Sequence, residues 1–98
     1  MRYVPNPIDT RTVELSPELL ELTEKLAENV HEQWARKRIE EGWRYGEHRD
    51  GVLKQTPCLV PYGQLPASEQ AYDRETAMET IKVLVKMGYR ITKEAEGE

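Results

Sequence analysis

The stretch "LSPELLELTEKLAENVHEQWARKRIEEG", residues 15–42, decides the fold. It carries start and stop signals of a single long helix. Ser16 has the side-chain oxygen of a good N-cap and Pro17 suits the first helical position. Glu18 faces the positive end of the helix dipole, and Leu15 can staple onto Leu20. Leu19, Leu22, Leu26, Val30 and Trp34 recur at spacings of three and four, flanked by Leu20 and Ala27, which predicts one apolar face. Gly42 is a natural stop just past the last turn. A helix of about 25 residues is about 37 Å long. Ile39 falls well round from Leu22 at about 100° per residue, so the last turns either meet another element or bend.

Upstream, "MRYVPNPIDT" holds Pro5 and Pro7 and reads as an extended arm. It has no signal-peptide core. Downstream, residues 43–67 carry Gly46, Gly51, Pro57, Pro61, Gly63 and Pro66, a composition of turns and loops. Within it "PCLVPY", 57–62, suits a short buried strand or extended segment. "PASEQAYDRETAMETIKVLVKMG", 66–88, is the second helical region. Ser68 is expected to cap a short turn and Asp73 a main helix. Ala77, Met78, Ile81, Leu84 and Val85 form its stripe, and Gly88 ends it as Gly42 ends the first. "YRIT", 89–92, alternates like a short edge strand. The expected fold is mainly α with short β segments, a small α+β domain of two packed helices wrapped by a Pro/Gly-rich crossover. Leu22, Leu26, Val30, Met78, Ile81, Leu84 and Val85 are expected to meet at the helix contact.

Ninety-eight residues make one domain, with its core in 3–92 and an acidic tail at 93–98. A net charge of −4 argues against binding a nucleic-acid backbone. No apolar run approaches the roughly 20 residues that span a bilayer. A single cysteine, Cys58, cannot make an intramolecular disulfide, so a reducing cytoplasm is the expected compartment.

Three segments, in order, carry a family resemblance. "LAENVHEQWARKRIEEGWRYG" (26–46) is followed by "RD", then "PCLVPYGQLP" (57–66), then "TIKVLVKMGYRI" (80–91). Together they resemble the RyR domain, the short repeat found in tandem pairs in the cytosolic part of ryanodine receptor calcium channels and as single domains in bacterial proteins. The likeness spans residues 3–92 and is to a stand-alone single repeat. It implies a fold and no calcium release, since this chain shows no channel segment. It brings no catalytic residues. For bacterial members it implies ligand sensing in nucleotide-signalling contexts. The tandem pairing also suggests a homodimer, with the ends of the first helix and the 43–51 loop as contributors.

Most candidate chemistry fails on spacing. "HEQWA", 31–35, lacks the second histidine one turn on that a zinc-protease helix needs. His31, His48 and Cys58 have no metal-site spacing. His31 borders the apolar stripe and suits a bond to a backbone carbonyl. Cys58 lies in an apolar run, as inert thiols do. Glu40, Glu41, Glu47 and Asp50 show no acid–base spacing, and the Lys37–Glu41 pair reads as ordinary surface charge. No cofactor or enzyme activity is expected. "RIEEGWRYGEHRDG", 38–51, is different, being rich in Trp, Tyr and Arg and poor in aliphatics. Trp34 and Arg38 lie one turn apart on the first helix, and Trp43, Tyr45 and Arg49 follow in the loop. These five residues have three uses: packing volume in a chain without Phe, a pocket for a nucleotide-like aromatic anion, or a protein interface. A binding or interaction module is the leading expectation, and a small-molecule sensor using the same residues is the alternative.

Overall fold

A computed structural model describes residues 2–94, so part of the acidic tail, 95–98, lies outside the described residues. The elements run α1 (Pro17–Glu40), β1 (Arg44–Tyr45), β2 (Gln55–Thr56), a 3-10 turn (Tyr62–Gln64) and α2 (Ala67–Lys86). Two packed helices and a two-stranded sheet make the small α+β fold that the sequence predicts.

The punctuation of α1 holds. Ser16 is the N-cap, and its hydroxyl accepts from the Leu19 amide at 3.2 Å. At the other end Gly42 adopts φ +94°, a conformation only glycine enters freely. The Gly42 amide donates to the Ile39 carbonyl at 3.0 Å and the Trp43 amide to the Arg38 carbonyl at 2.9 Å, a complete Schellman closure.

The buried face of α1 differs from the leucine stripe. Thr23, Ala27 and His31 are buried. Leu22 is 37% exposed and Val30 44% exposed, as is Leu84 on α2 at 39%. The true face is turned about 80° round the helix from the predicted one, taking 100° per residue. Two physical causes account for this. Ala27 and Ala77 are small enough for the helices to meet there, and Ala27 joins Ala77, Tyr62 and Leu65 in the core. Thr23 and His31 can be buried because each finds a backbone acceptor, the Leu20 and Val60 carbonyls. Leu26 keeps its place against this core, Ile81 is buried, and Met78 and Val85 are half-buried. Ile39 stays exposed.

α2 is one uninterrupted helix, not a short turn followed by a main helix. Its N-cap is Pro66, with no side-chain cap; neither Ser68 nor Asp73 serves. The Glu69 and Gln70 amides reach the Pro66 carbonyl at 3.0 and 3.1 Å, and the Gln70 side chain donates to the Leu65 carbonyl at 2.9 Å. Gln70 therefore ties the crossover to the helix start. Glu24 on α1 receives Arg74 from α2 and the Tyr62 hydroxyl, the latter at 3.0 Å, which closes the seam at the other side.

The strands also lie elsewhere than expected. Neither 57–62 nor 89–92 is a strand. Arg44 and Tyr45 pair in parallel with Gln55 and Thr56. The chain reverses between them at Asp50, whose carboxylate accepts from the Val52 and Leu53 amides at 3.0 and 3.1 Å. Lys54, at φ +55°, donates its ammonium to the Glu41 carbonyl at 2.8 Å and ties this loop to the end of α1.

The arm is anchored at buried Thr10, whose hydroxyl donates to Glu79 on α2 at 2.6 Å. Beyond that anchor its apolar side chains stand in solvent. The radius of gyration is 16.8 Å, against about 13 Å for a compact domain of this length. No helix among the described residues is long and apolar enough to cross a membrane.

Candidate aromatic–arginine site

The end of α1 builds a cation between two indoles. The four-residue spacing puts Trp34 and Arg38 on one helix face. The Schellman turn then returns the chain, and Trp43 comes back over the helix it has just left. The Arg38 guanidinium carbon lies 5.9 Å from the Trp34 ring centre and 5.2 Å from that of Trp43. Both distances are within cation–π range. All three residues are half-buried, the Arg38 side chain remaining 42% exposed. Glu41 accepts from Arg38 Nη1 at 3.1 Å. Trp34, Lys37, Arg38 and Glu41 line a depression of about 180 Å³.

Trp34 is braced from the core. It stacks on His31 with ring centres 5.5 Å apart and planes 25° apart. His31 is buried, and its Nε2 lies 2.7 Å from the Val60 carbonyl oxygen. A carbonyl only accepts, so Nε2 carries a hydrogen and donates. This is the backbone bond expected for His31. The other nitrogen, Nδ1, faces Asp73 on α2 at 4.0 Å. Burial pushes the Asp73 carboxyl above its ordinary range; His31 pulls the other way and Glu69 pushes with the burial.

Of the five residues singled out in the sequence, the structure groups Trp34, Arg38 and Trp43. Tyr45 is exposed on β1, and Arg49 lies on the following turn with Nη2 3.9 Å from the half-buried Cys58 sulfur. Among the described residues no ring or guanidinium contact joins Tyr45 or Arg49 to the group. Lys37 and Glu41, read as ordinary surface charge, line the depression instead. Their signal was present: Glu41 falls three residues after Arg38, within reach of its guanidinium. The His31–Asp73 pairing had no local signal, because its partners come from different helices.

The depression is smaller than the roughly 300 Å³ at which pockets begin to enclose drug-sized molecules. Its one indole, Trp34, already stacks on His31 and lies within cation–π range of Arg38, so what it offers outward is two cations beside the Glu41 carboxylate. Arg38 offers a planar fork and Lys37 a mobile point charge.

The chain matches the family model of the RyR domain over residues 3–93. The matched span includes both helices, the crossover and the whole aromatic–arginine group. With nearly its full length covered, this chain is a member of the RyR domain family.

Proposed function

We propose that this RyR domain is a non-enzymatic binding module whose ligand is a nucleotide-like aromatic anion. One observation carries the reading: Arg38 sits between the half-buried indoles of Trp34 and Trp43. Trp34 shares its depression with the two cations Lys37 and Arg38, and indoles beside cations are the pairing that recognises a planar base and its phosphate. Glu41 holds one side of the Arg38 fork in the free protein. An incoming phosphate takes over that position, with Lys37 as second cation. The module works in the reducing cytoplasm, where its single cysteine stays free.

The test is thermal unfolding with a panel of AMP, ADP, ATP and cyclic dinucleotides, with adenosine and inorganic phosphate as half-ligands. A ligand at 100 times its dissociation constant stabilises by about 2.7 kcal/mol. The reading expects a rise with whole nucleotides, a smaller one with either half, and none in Arg38→Ala. No shift with any nucleotide at millimolar concentration ends it. The five residues would then serve packing or a protein interface.

A further inference from the structure

The second feature of the surface lies away from the tryptophans, along the outer face of α2. An open groove of about 550 Å³ runs between the arm and that helix. Ile8 and Val83 supply its aliphatic wall, Tyr72 an exposed ring, and Glu75 and Glu79 two carboxylates. Glu79 is engaged, by the Thr10 hydroxyl at 2.6 Å and by Lys82 at 3.9 Å. Glu75 has no hydrogen bond or ion pair among the described residues. It sits four residues before Glu79 on the same face, a spacing at which like charges repel. The Thr80 hydroxyl is spent on the Thr76 carbonyl. The groove therefore asks for a cation next to an aromatic and an aliphatic group, on a strand thin enough to lie along a helix.

The same chain carries such a segment. Arg2, Tyr3 and Val4 are consecutive in the extended arm. Tyr3 is 83% exposed and Val4 74% exposed, so neither has a cover in the isolated chain. Pro5 and Pro7 stiffen the segment, which lowers the entropy lost on docking. Residues 7 and 8 already form the groove's own wall, and Thr10 is pinned to α2 beyond them.

We propose that residues 2–6 of one copy lie in the α2 groove of a second copy, and reciprocally, with Arg2 against the partner's Glu75. The exchange is two-fold and self-complementary, so it closes at a dimer. It covers Tyr3, Val4 and Tyr72 together. It places the contact on the arm and α2, not on the end of α1 and the 43–51 loop. It is independent of the ligand reading, because none of Trp34, Arg38 and Trp43 takes part. Two short arms make a small interface, at the low end of the range for specific complexes, so the dimer is expected to be weak.

Sedimentation equilibrium of the full chain between about 10 and 300 µM tests this; dissociation constants in that range correspond to weak but specific pairing. The mass should rise from 11.4 kDa toward twice that value. Arg2→Glu and Glu75→Arg each set like charges together at both contacts and should weaken the dimer at least tenfold. Both positions are exposed, so helical circular dichroism should not change. Mixed one to one, the two variants present opposite charges at both contacts and should associate again. A mass fixed at 11.4 kDa throughout overturns the proposal. So does a dimer that neither substitution weakens, or a mixture that stays monomeric while the unaltered chain dimerises.

Discussion

Both helices close with a glycine in the left-handed region, Gly42 after α1 and Gly88 after α2. In both, the next amide returns to the carbonyl five residues back: Trp43 to Arg38 at 2.9 Å, and Tyr89 to Leu84 at 3.0 Å. The backbones are alike and the outcomes are not. After α1 the returning residue is an indole, the residue it returns to is an arginine, and a second indole stands one turn earlier. After α2 the same positions hold an exposed tyrosine and a partly exposed leucine. The turn brings two side chains together, and their chemistry decides whether a site results. α2 instead buries Ala77 and Ile81, of which Ala77 joins the core cluster with Ala27.

The contrast predicts where stability and site signals separate. The largest loss should come from Ile81→Ala, about 2–4 kcal/mol for a buried aliphatic. Leu84→Ala, one turn on and partly exposed, should cost less than about 1 kcal/mol. Urea unfolding followed by circular dichroism measures both, and equal losses would put the seam on the wrong face of α2. Next come the two glycines. Gly42→Ala and Gly88→Ala should each cost about 1–2 kcal/mol, because each forces a Cβ into the left-handed region. Only Gly42→Ala should also move tryptophan emission, since only that turn carries an indole. A smaller effect is expected from Arg38→Ala, about 0.5–1 kcal/mol for an accessible cation–π contact, with a clear emission change. Tyr89→Ala at the matching position of α2 should change stability by less than about 0.5 kcal/mol.

The smallest effect is acid dependence, which asks how far the seam reaches toward the site. Arg74 holds the Glu24 carboxyl below its ordinary value of 4.5; partial desolvation opposes this and the Tyr62 hydroxyl assists it. A depressed carboxylate favours folding above its unfolded value, and that gain is lost as pH falls through the folded value. Asp73 has the opposite sign. Burial raises it from 3.8, so its ionisation opposes folding, and the cost disappears on acidification. Glu24→Gln should therefore flatten the acid loss measured between about pH 5 and 3, and Asp73→Asn should steepen it. Because Asp73 meets His31 and His31 stacks on Trp34, tryptophan emission should follow the Asp73 change and not that of Glu24.

How much of this was legible in the sequence depended on distance along the chain. Ser16, Pro17 and Gly42 mark α1 through local backbone chemistry, and Gly88 does the same for α2. Trp34 and Arg38 could be placed together from one helical turn, and Trp43 from the glycine before it. The start of α2 was misread because Ser68 and Asp73 look like caps. Asp73 is half-buried against His31 instead, a contact from another helix. The core face was misread because hydrophobic spacing favours Leu22 and Val30 over Thr23 and His31. Those polar residues are buried because backbone acceptors wait for them, which spacing cannot reveal. The strands have two residues each and no alternation to read.

The most direct test of the binding account is a fluorescence titration of the intact protein with AMP, following Trp34 and Trp43, alongside Arg38→Ala. The account predicts saturable quenching in the unaltered protein and at least tenfold weaker binding in the variant, with helical content unchanged. Quenching that is linear in AMP up to several millimolar, or equal in both proteins, would contradict it.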